Sequence, residues 1–499
     1  MIDKATFVKH RIIVFTSLLT LPTLCAIACT SGTHRGVGAL GTGGDDGSST
    51  QADGSAGDAA SDADATSQGD TGGGGPDVTT GDELPIDIDA RPPPGAFCAL
   101  PGSIVFTQQG PEVIPGSDAS TPSLGWLNLP VGFCVHYYGT VPMTRQLRFA
   151  PDGHLFVSSP TASTTGGRNN GLGEIVILPD DNQDGIADTN ITYLSMLEYV
   201  QGLYFGGGFL YYQFDQATVA RVPYKNGDLS PSGATQPVNT STLPQDTVHW
   251  TKVIDVAPDG TLYVTNGSSQ SESCLSTRPP VGTINKVSPD GGASVVAKGF
   301  RNPISLRCER NHDVCLVTEL ALDYSAPYAG REKLLPVHQG DDWGYPCCAT
   351  QDTVYIDPNT KMPITYSDNG KKVDCSGVSA EPVSFVIGET PFGVEVEESG
   401  KWPGPYGGRA YVTMHGTFGS WVGARVLSLT LDANGMPLQA TDLDGGESAN
   451  MTDFATGWDD GRQDHGRPAT ITFAPDGRMF IGDDQNGLIV WIAPVDLKP

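Results

Sequence analysis

The chain has 499 residues, a formal charge of −28, 63 glycines, 38 prolines and only 17% charged side chains. The length exceeds one ordinary domain, and the glycine and proline content argues against a helical bundle and for a turn-rich all-β protein with some disorder. The acidity excludes nucleic acid and anionic membrane surfaces as electrostatic partners.

In chain order, Lys4, Lys9 and Arg11 precede an apolar run from Ile12 to Leu24, which is short for a membrane span and has the order of an export signal. The sequence Ala26-Ile27-Ala28-Cys29 resembles a bacterial lipoprotein box. The resemblance implies a signal peptide over residues 1–29, lipidation at Cys29, and a mature protein outside the cytoplasm. That would be an outer-membrane or cell-surface lipoprotein, or a periplasmic protein, touching a membrane only through its anchor. Residues 30–95 are rich in Gly, Asp, Ser, Thr and Ala. Between Thr30 and Arg91 twelve acids face only Arg35 and Arg91. Such a segment buries too little surface to offset its ordering entropy and reads as a disordered tether.

Residues 96–499 are globular in composition and hold eight cysteines, an even number that favours disulfides in an exported chain. Cys308 and Cys315 flank one hairpin turn. Cys98 with Cys134, and Cys347 or Cys348 with Cys375, are further pairs, and the vicinal Cys347-Cys348 could bond to each other. The main structural signal is a repeated hairpin. Ala150-Pro151-Asp152-Gly153 recurs as Ala257-Pro258-Asp259-Gly260 and Ala474-Pro475-Asp476-Gly477, each followed by an alternating apolar strand. Degenerate copies lie at Phe205–Tyr211, Arg310–Val317 and Tyr406–Val412. The six copies fall roughly 50 to 60 residues apart, with longer gaps near Gly340 and Asp444, and a four-stranded blade needs about 40 to 50. The expected fold is therefore an all-β, six-bladed β-propeller.

Stepping back from each turn to the start of its strand gives Arg145, Gln201, His249 with Lys252, Arg301 and Asn302, Thr390-Pro391-Phe392-Gly393, and Arg467. In a propeller these positions converge at one end of the axial channel. Several arginines there imply an anion-rich ligand. His249 is the histidine placed at a strand start, with a side chain able to accept a proton near neutrality. His415 and His465 are further candidates.

These motifs resemble a known family. His249 to Val264, Gly299-Phe300-Arg301-Asn302-Pro303-Ile304-Ser305-Leu306 and Gly340-Asp341-Asp342-Trp343-Gly344-Tyr345-Pro346 are similar to segments of the soluble glucose/sorbosone dehydrogenases. Those are six-bladed propellers that use pyrroloquinoline quinone (PQQ) and calcium, and the resemblance covers about Leu129 to Ile492. It implies oxidation of a carbohydrate, with an external electron acceptor. His249 would be the general base, and Arg301, Asn302 and Arg467 would hold the quinone; Arg145 and Gln201, from their strand-start positions, are expected to complete the cofactor ring. Three carboxylates and an electron-poor quinone suit guanidinium partners. Two features depart from the family. The segment Glu319 to Leu335 lacks its usual calcium residues, leaving Glu319, Asp323 and Glu332 as oxygen ligands with Glu332 nearest in register, and no lysine matches the cofactor-binding lysine.

Independently, Asp180-Asp181-Asn182-Gln183-Asp184-Gly185-Ile186-Ala187-Asp188 alternates oxygen side chains around a glycine. Asp180, Asn182, Asp184 and Asp188 would then ligate calcium and brace the loop; otherwise the segment is an acidic hairpin turn. Two other functions compete: a calcium-dependent sugar-lactone hydrolase, which would need carboxylates at the axis with few arginines, and a non-catalytic surface-binding propeller.

Overall fold

The structure is a computed structural model. It describes residues 97–497 apart from the short segments 117–120, 161–172, 247–248, 269–273, 275–281, 322–329, 358–359, 368, 418–421, 442–447 and 462–464. The expected signal peptide, Cys29, the tether and Asp323 lie outside the described residues. Among the described residues, no helix is long and apolar enough to cross a membrane.

Six sheets form six blades, antiparallel except for one parallel edge pair, Val383–Phe385 with Ala440–Thr441, in blade four. Their innermost strands are Gln146–Phe149, Leu203–Gly206, Ile254–Val256, Asn302–Cys308, Pro391–Val396 and Pro468–Phe473. Each inner strand contacts the next in order and the sixth contacts the first, so the ring closes. The expected six-bladed propeller is observed. Every inner strand begins at one end of the axial channel, called here the upper mouth, and runs toward the lower mouth, where the Pro-Asp-Gly turns lie.

The turns show why that tripeptide recurs. Asp152, Asp259 and Asp476 each accept the backbone N–H two residues on through Oδ1, at 3.1, 2.8 and 2.9 Å. The glycine that follows each takes a left-handed φ, +92°, +85° and +97° for Gly153, Gly260 and Gly477, where a Cβ would be strained. Second strands such as Leu155–Ser159 are buried along their whole length, as expected where sheets pack face to face.

The sixth blade is completed from the other end of the chain. Phe133–Thr140 pairs with Leu488–Pro494 as the blade's fourth strand, and Ile104–Thr107 and Gly110–Val113 extend it. The spacing of hairpins does not reveal this closure, because the closing strand precedes the first Pro-Asp-Gly turn. Cys98–Cys134 ties the preceding turn to it. Cys308–Cys315 bridges its hairpin and Cys348 bonds Cys375. Cys347 bonds Cys274, not Cys375 and not its neighbour Cys348, so the two vicinal cysteines anchor separate loops. Four disulfides fit an oxidising compartment. The long gap near Gly340 is an insertion between the third and fourth strands of blade four, Glu332–Pro336 and Val383–Phe385, carrying the small Cys348–Thr350/Thr353–Val354 hairpin. The degenerate turn at Tyr406 is not tight: the first two strands of blade five, Pro391–Val396 and Arg409–Met414, are joined through residues 397–408.

Candidate functional site

The upper mouth is built from strand ends. Antiparallel pairing sets the end of each blade's second strand beside the start of its first: Gln146 opposite Ser158, Asn302 opposite Leu320, Pro391 opposite Met414, Pro468 opposite Asp483. Blades four, five and six share a device. Asn302-Pro303, Thr390-Pro391 and Arg467-Pro468 each open an inner strand with proline and are followed at once by a register shift. Proline supplies no ladder N–H and suits a strand start, and the bulge re-aims the side chains that follow. Thr390 holds φ at +54°, a strained value for a β-branched residue that is commonest at functional sites.

His249 precedes the inner strand of blade three. Its backbone N–H donates to Asp246 Oδ1 at 2.7 Å, and its Nδ1 lies 2.7 Å from the Ser268 carbonyl. A carbonyl only accepts, so Nδ1 carries hydrogen and the neutral ring has its lone pair on Nε2. Gly267 makes room for this. A Cβ there would lie 2.5 Å from His249 Cβ, 2.6 Å from its carbonyl oxygen and 3.2 Å from Asn302 Oδ1. Asn302 accepts from Thr251 Oγ1 at 3.3 Å, so blades three and four meet around this glycine. Arg301 donates its amide to Glu319 Oε1 and Nη1 to the Ala321 carbonyl, at 2.7 and 2.8 Å. Across the channel, Gln201 donates to the Ile304 carbonyl at 3.3 Å.

The opposite arc holds a second set. Arg145 Nη1 pairs with Asp484 at 3.1 Å and its guanidinium lies 5.2 Å from the Phe392 ring centre. His415 Nε2 donates to the other Asp484 oxygen at 2.7 Å. Arg467 donates to the carbonyls of His415, Gly416 and Thr417 at 2.9, 3.3 and 3.2 Å. Burial pushes Asp484 up, but the charges of His415, Arg145 and Arg467 outweigh it and hold the carboxyl well below its usual range. Burial lowers His415, an effect Asp484 only partly offsets. His465 is engaged elsewhere, stacked on Trp126 at 4.9 Å and 3.3 Å from Asp460.

Several buried polar atoms at this mouth have no hydrogen-bond partner among the described residues: Arg145 Nε, Gln201 Oε1, Lys252 Nζ, both amide atoms of Asn266, and Glu319 Oε2. An unsatisfied buried polar group costs about 1–3 kcal/mol, so their concentration here fits a site that completes its hydrogen bonding with a polar ligand. Burial depresses Lys252 to about 7, against the pull of Asp246. Burial raises Glu319 to about 7, opposed by the Arg301 amide and the Lys333 charge. Just below the ring the channel narrows to a cavity of about 20 Å³ between Arg145, Gln201, Phe392 and Thr470, which is room for one water. A larger ligand would sit on the ring, above that constriction.

The expected metal ligands are differently occupied. Glu332 accepts the Ala321 amide through Oε2 at 2.7 Å and the Gly388 amide through Oε1 at 3.1 Å. It therefore pins two backbone segments. In the Asp180–Asp188 loop, Asp180, Asn182, Asp184 and Asp188 each accept a loop amide, at 3.2, 2.9, 2.9 and 2.7 Å. These bonds close the turn, while Asp180 Oδ1 is buried with no partner among the described residues. Among the described residues no three His, Cys, Asp or Glu side chains are placed to hold a metal ion.

Stepping back from the turns found Arg145, Gln201, His249, Arg301, Asn302 and Arg467. It missed Asn266 and Asp484, which, like Glu319, expected only as an oxygen ligand, sit at or beside the ends of second strands. Stepping forward along those strands would have reached them.

Comparison with known proteins bears on the fold. A family described as a domain of unknown function, DUF7133, matches residues 121–296. No curated protein sequence matches the chain. Among solved structures, the chain is similar to a Trichoderma reesei carbohydrate-active enzyme of family AA12, at 18% identity and a TM-score of 0.58, covering 76% of this chain and 99% of that one. It is also similar to the PQQ domain of a Coprinopsis cinerea pyranose dehydrogenase, at 16% identity and 0.57, covering 73% and 96%. A soluble aldose sugar dehydrogenase from Escherichia coli matches at 11% identity and 0.50, covering 72% and 99%. At these identities the similarity establishes a shared propeller fold.

Proposed function

We propose that the protein is a PQQ-dependent dehydrogenase that oxidises a sugar, an aldose or a sorbosone-like compound, at the upper mouth. One observation carries the reading. A histidine with its lone pair directed by a carbonyl partner stands beside a buried ring of guanidinium and amide groups, several of whose polar atoms lack partners. The residues fit a tricarboxylate quinone: Arg301, Asn302, Arg467, Arg145 and Gln201 would hold it, and Gly267 lets the chain pack directly against His249 and close to Asn302. When bound, the quinone supplies the hydride acceptor.

The chain's own residues do the remainder. His249 Nε2 takes the proton from the sugar hydroxyl on the carbon being oxidised. The resulting imidazolium keeps its Nδ1–H on the Ser268 carbonyl, which holds the ring in orientation while its charge changes. Asp246 fixes the backbone that carries it. The narrow channel below the ring admits a water but no sugar, so substrate approaches from the open side of the mouth. An external electron acceptor completes the cycle. Glu332 accepts two backbone amides and Glu319 one, and among the described residues no three carboxylate or histidine side chains are grouped to hold a metal ion, so no step is routed through calcium.

The test is dye reduction by the purified protein with PQQ against a panel of aldoses and polyols. Turnover with at least one sugar, abolished by His249→Ala with cofactor binding retained, is the expected result. Absence of turnover, with no rise in melting temperature on adding PQQ, would remove the proposal and leave the lactone-hydrolase and surface-binding readings.

A further inference from the structure

The lower mouth is a second, separate cavity of about 850 Å³, within the range of small-molecule sites. It lies at the opposite end of the channel from the ring, among the Pro-Asp-Gly turns.

A charged layer separates the two mouths. Each blade contributes one inner-strand residue: Arg148, Tyr204, Asp255, Arg307, Glu395 and Thr472. Arg307 pairs with Glu395, with Glu398 at 2.6 Å and with Asp255 at 3.5 Å. Arg148 reaches Asp255 at 3.4 Å and the Leu203 carbonyl at 3.2 Å. Thr472 donates to Glu395 at 3.4 Å, and the Cys308 amide donates to Asp255 at 2.9 Å. Glu398 also accepts the amides of Arg310 and Asn311. The carboxylates of this floor are thus all engaged, which leaves few acceptors for the hydroxyls of a sugar.

Below the floor the walls are aromatic. Phe149, Phe205, Phe209 and Phe473 line the cavity and stay only partly buried, while Lys225 and Arg310 stand exposed at its rim. Large apolar rings left facing a cavity mark a binding surface more often than chance exposure does, and rim cations favour an anionic group on whatever enters.

We propose that the lower mouth binds a planar aromatic carboxylate, its ring among Phe149, Phe205, Phe209 and Phe473 and its carboxylate toward Lys225 and Arg310. The site is independent of the upper one and needs neither cofactor nor sugar.

The test uses 2-naphthoate as probe, titrated into the full-length protein and followed by calorimetry. Saturable one-to-one binding is expected. Lys225→Gln should weaken it about tenfold, the loss of roughly 1.4 kcal/mol, and so should replacing the probe by the uncharged 2-naphthalenemethanol. Phe209→Ser, at a half-exposed position, should weaken it further, whereas His249→Ala and Arg467→Gln should leave it unchanged. Circular dichroism on each variant separates lost binding from lost folding. Absence of saturable binding into the millimolar range would overturn the proposal. So would binding that Lys225→Gln and Phe209→Ser spare while Arg467→Gln abolishes it, which would place the probe in the upper mouth.

Discussion

His249 and Gly267 act as a pair at the level of single residues. Gly267 packs directly against His249, and a Cβ there would lie 2.5 Å from His249 Cβ and 2.6 Å from its carbonyl oxygen. Gly267→Ala should therefore displace His249, with a fall in turnover of a hundredfold or more and a stability loss of about 1–3 kcal/mol, checked by steady-state kinetics and chemical denaturation. Lys252 gives a pH test. Its ammonium is buried without a hydrogen-bond partner, and burial lowers it to about 7 from the usual 10.5. The unfolded chain then binds more protons than the native one between those values, so this residue makes stability rise from pH 7 to about 10.5. In Lys252→Met that rise should be lost and stability at neutral pH increased, measured by denaturation across the pH range. His249 could be read from the sequence because it stands at a strand start in a well-matched repeat. Lys252 could be seen beside it, but its lack of a partner depends on how blades two and three meet.

Among elements, the blade-closing strand and the charged floor matter most. Phe133–Thr140 belongs to the last blade, and Cys98–Cys134 holds the turn before it in place. Replacing both cysteines by serine should cost about 2–5 kcal/mol, visible as a lower melting temperature that reducing agent no longer changes through this bond. In the floor, Arg307 is buried and pairs with Glu395, Glu398 and Asp255. Arg307→Met would leave the buried Glu395 without its paired cation and should cost about 3–5 kcal/mol in denaturation, with folding rescued in part by adding Glu395→Gln. Three of the inner strands were legible because each ends in a turn with a mechanism, an aspartate accepting an amide and a glycine at positive φ, and the other three by their spacing from these. The closing strand was not, since it has no such turn and its partner is more than 300 residues away in the chain. The acidic segment from Asp180 to Asp188 shows the limit of spacing as a guide. Alternating oxygens suit an ion and the loop's own amides equally well: four of them accept loop amides, while Asp180 Oδ1 is buried with no partner among the described residues.

At the scale of the whole molecule, the propeller presents two chemically distinct ends on one axis. Residues brought from six blades give one end guanidinium and imidazole groups with unsatisfied polar atoms, and the other aromatic walls with cations at the rim. The most direct test of the account is a titration of the purified protein with PQQ, followed by calorimetry and by melting temperature. The account predicts one-to-one binding, stabilisation of about 2.7 kcal/mol at a hundredfold excess over Kd, weakening by Arg301→Gln or Arg467→Gln, and no weakening by Lys225→Gln. An unchanged melting temperature with no heat of binding, or binding that the upper-mouth arginine variants leave intact, would contradict it.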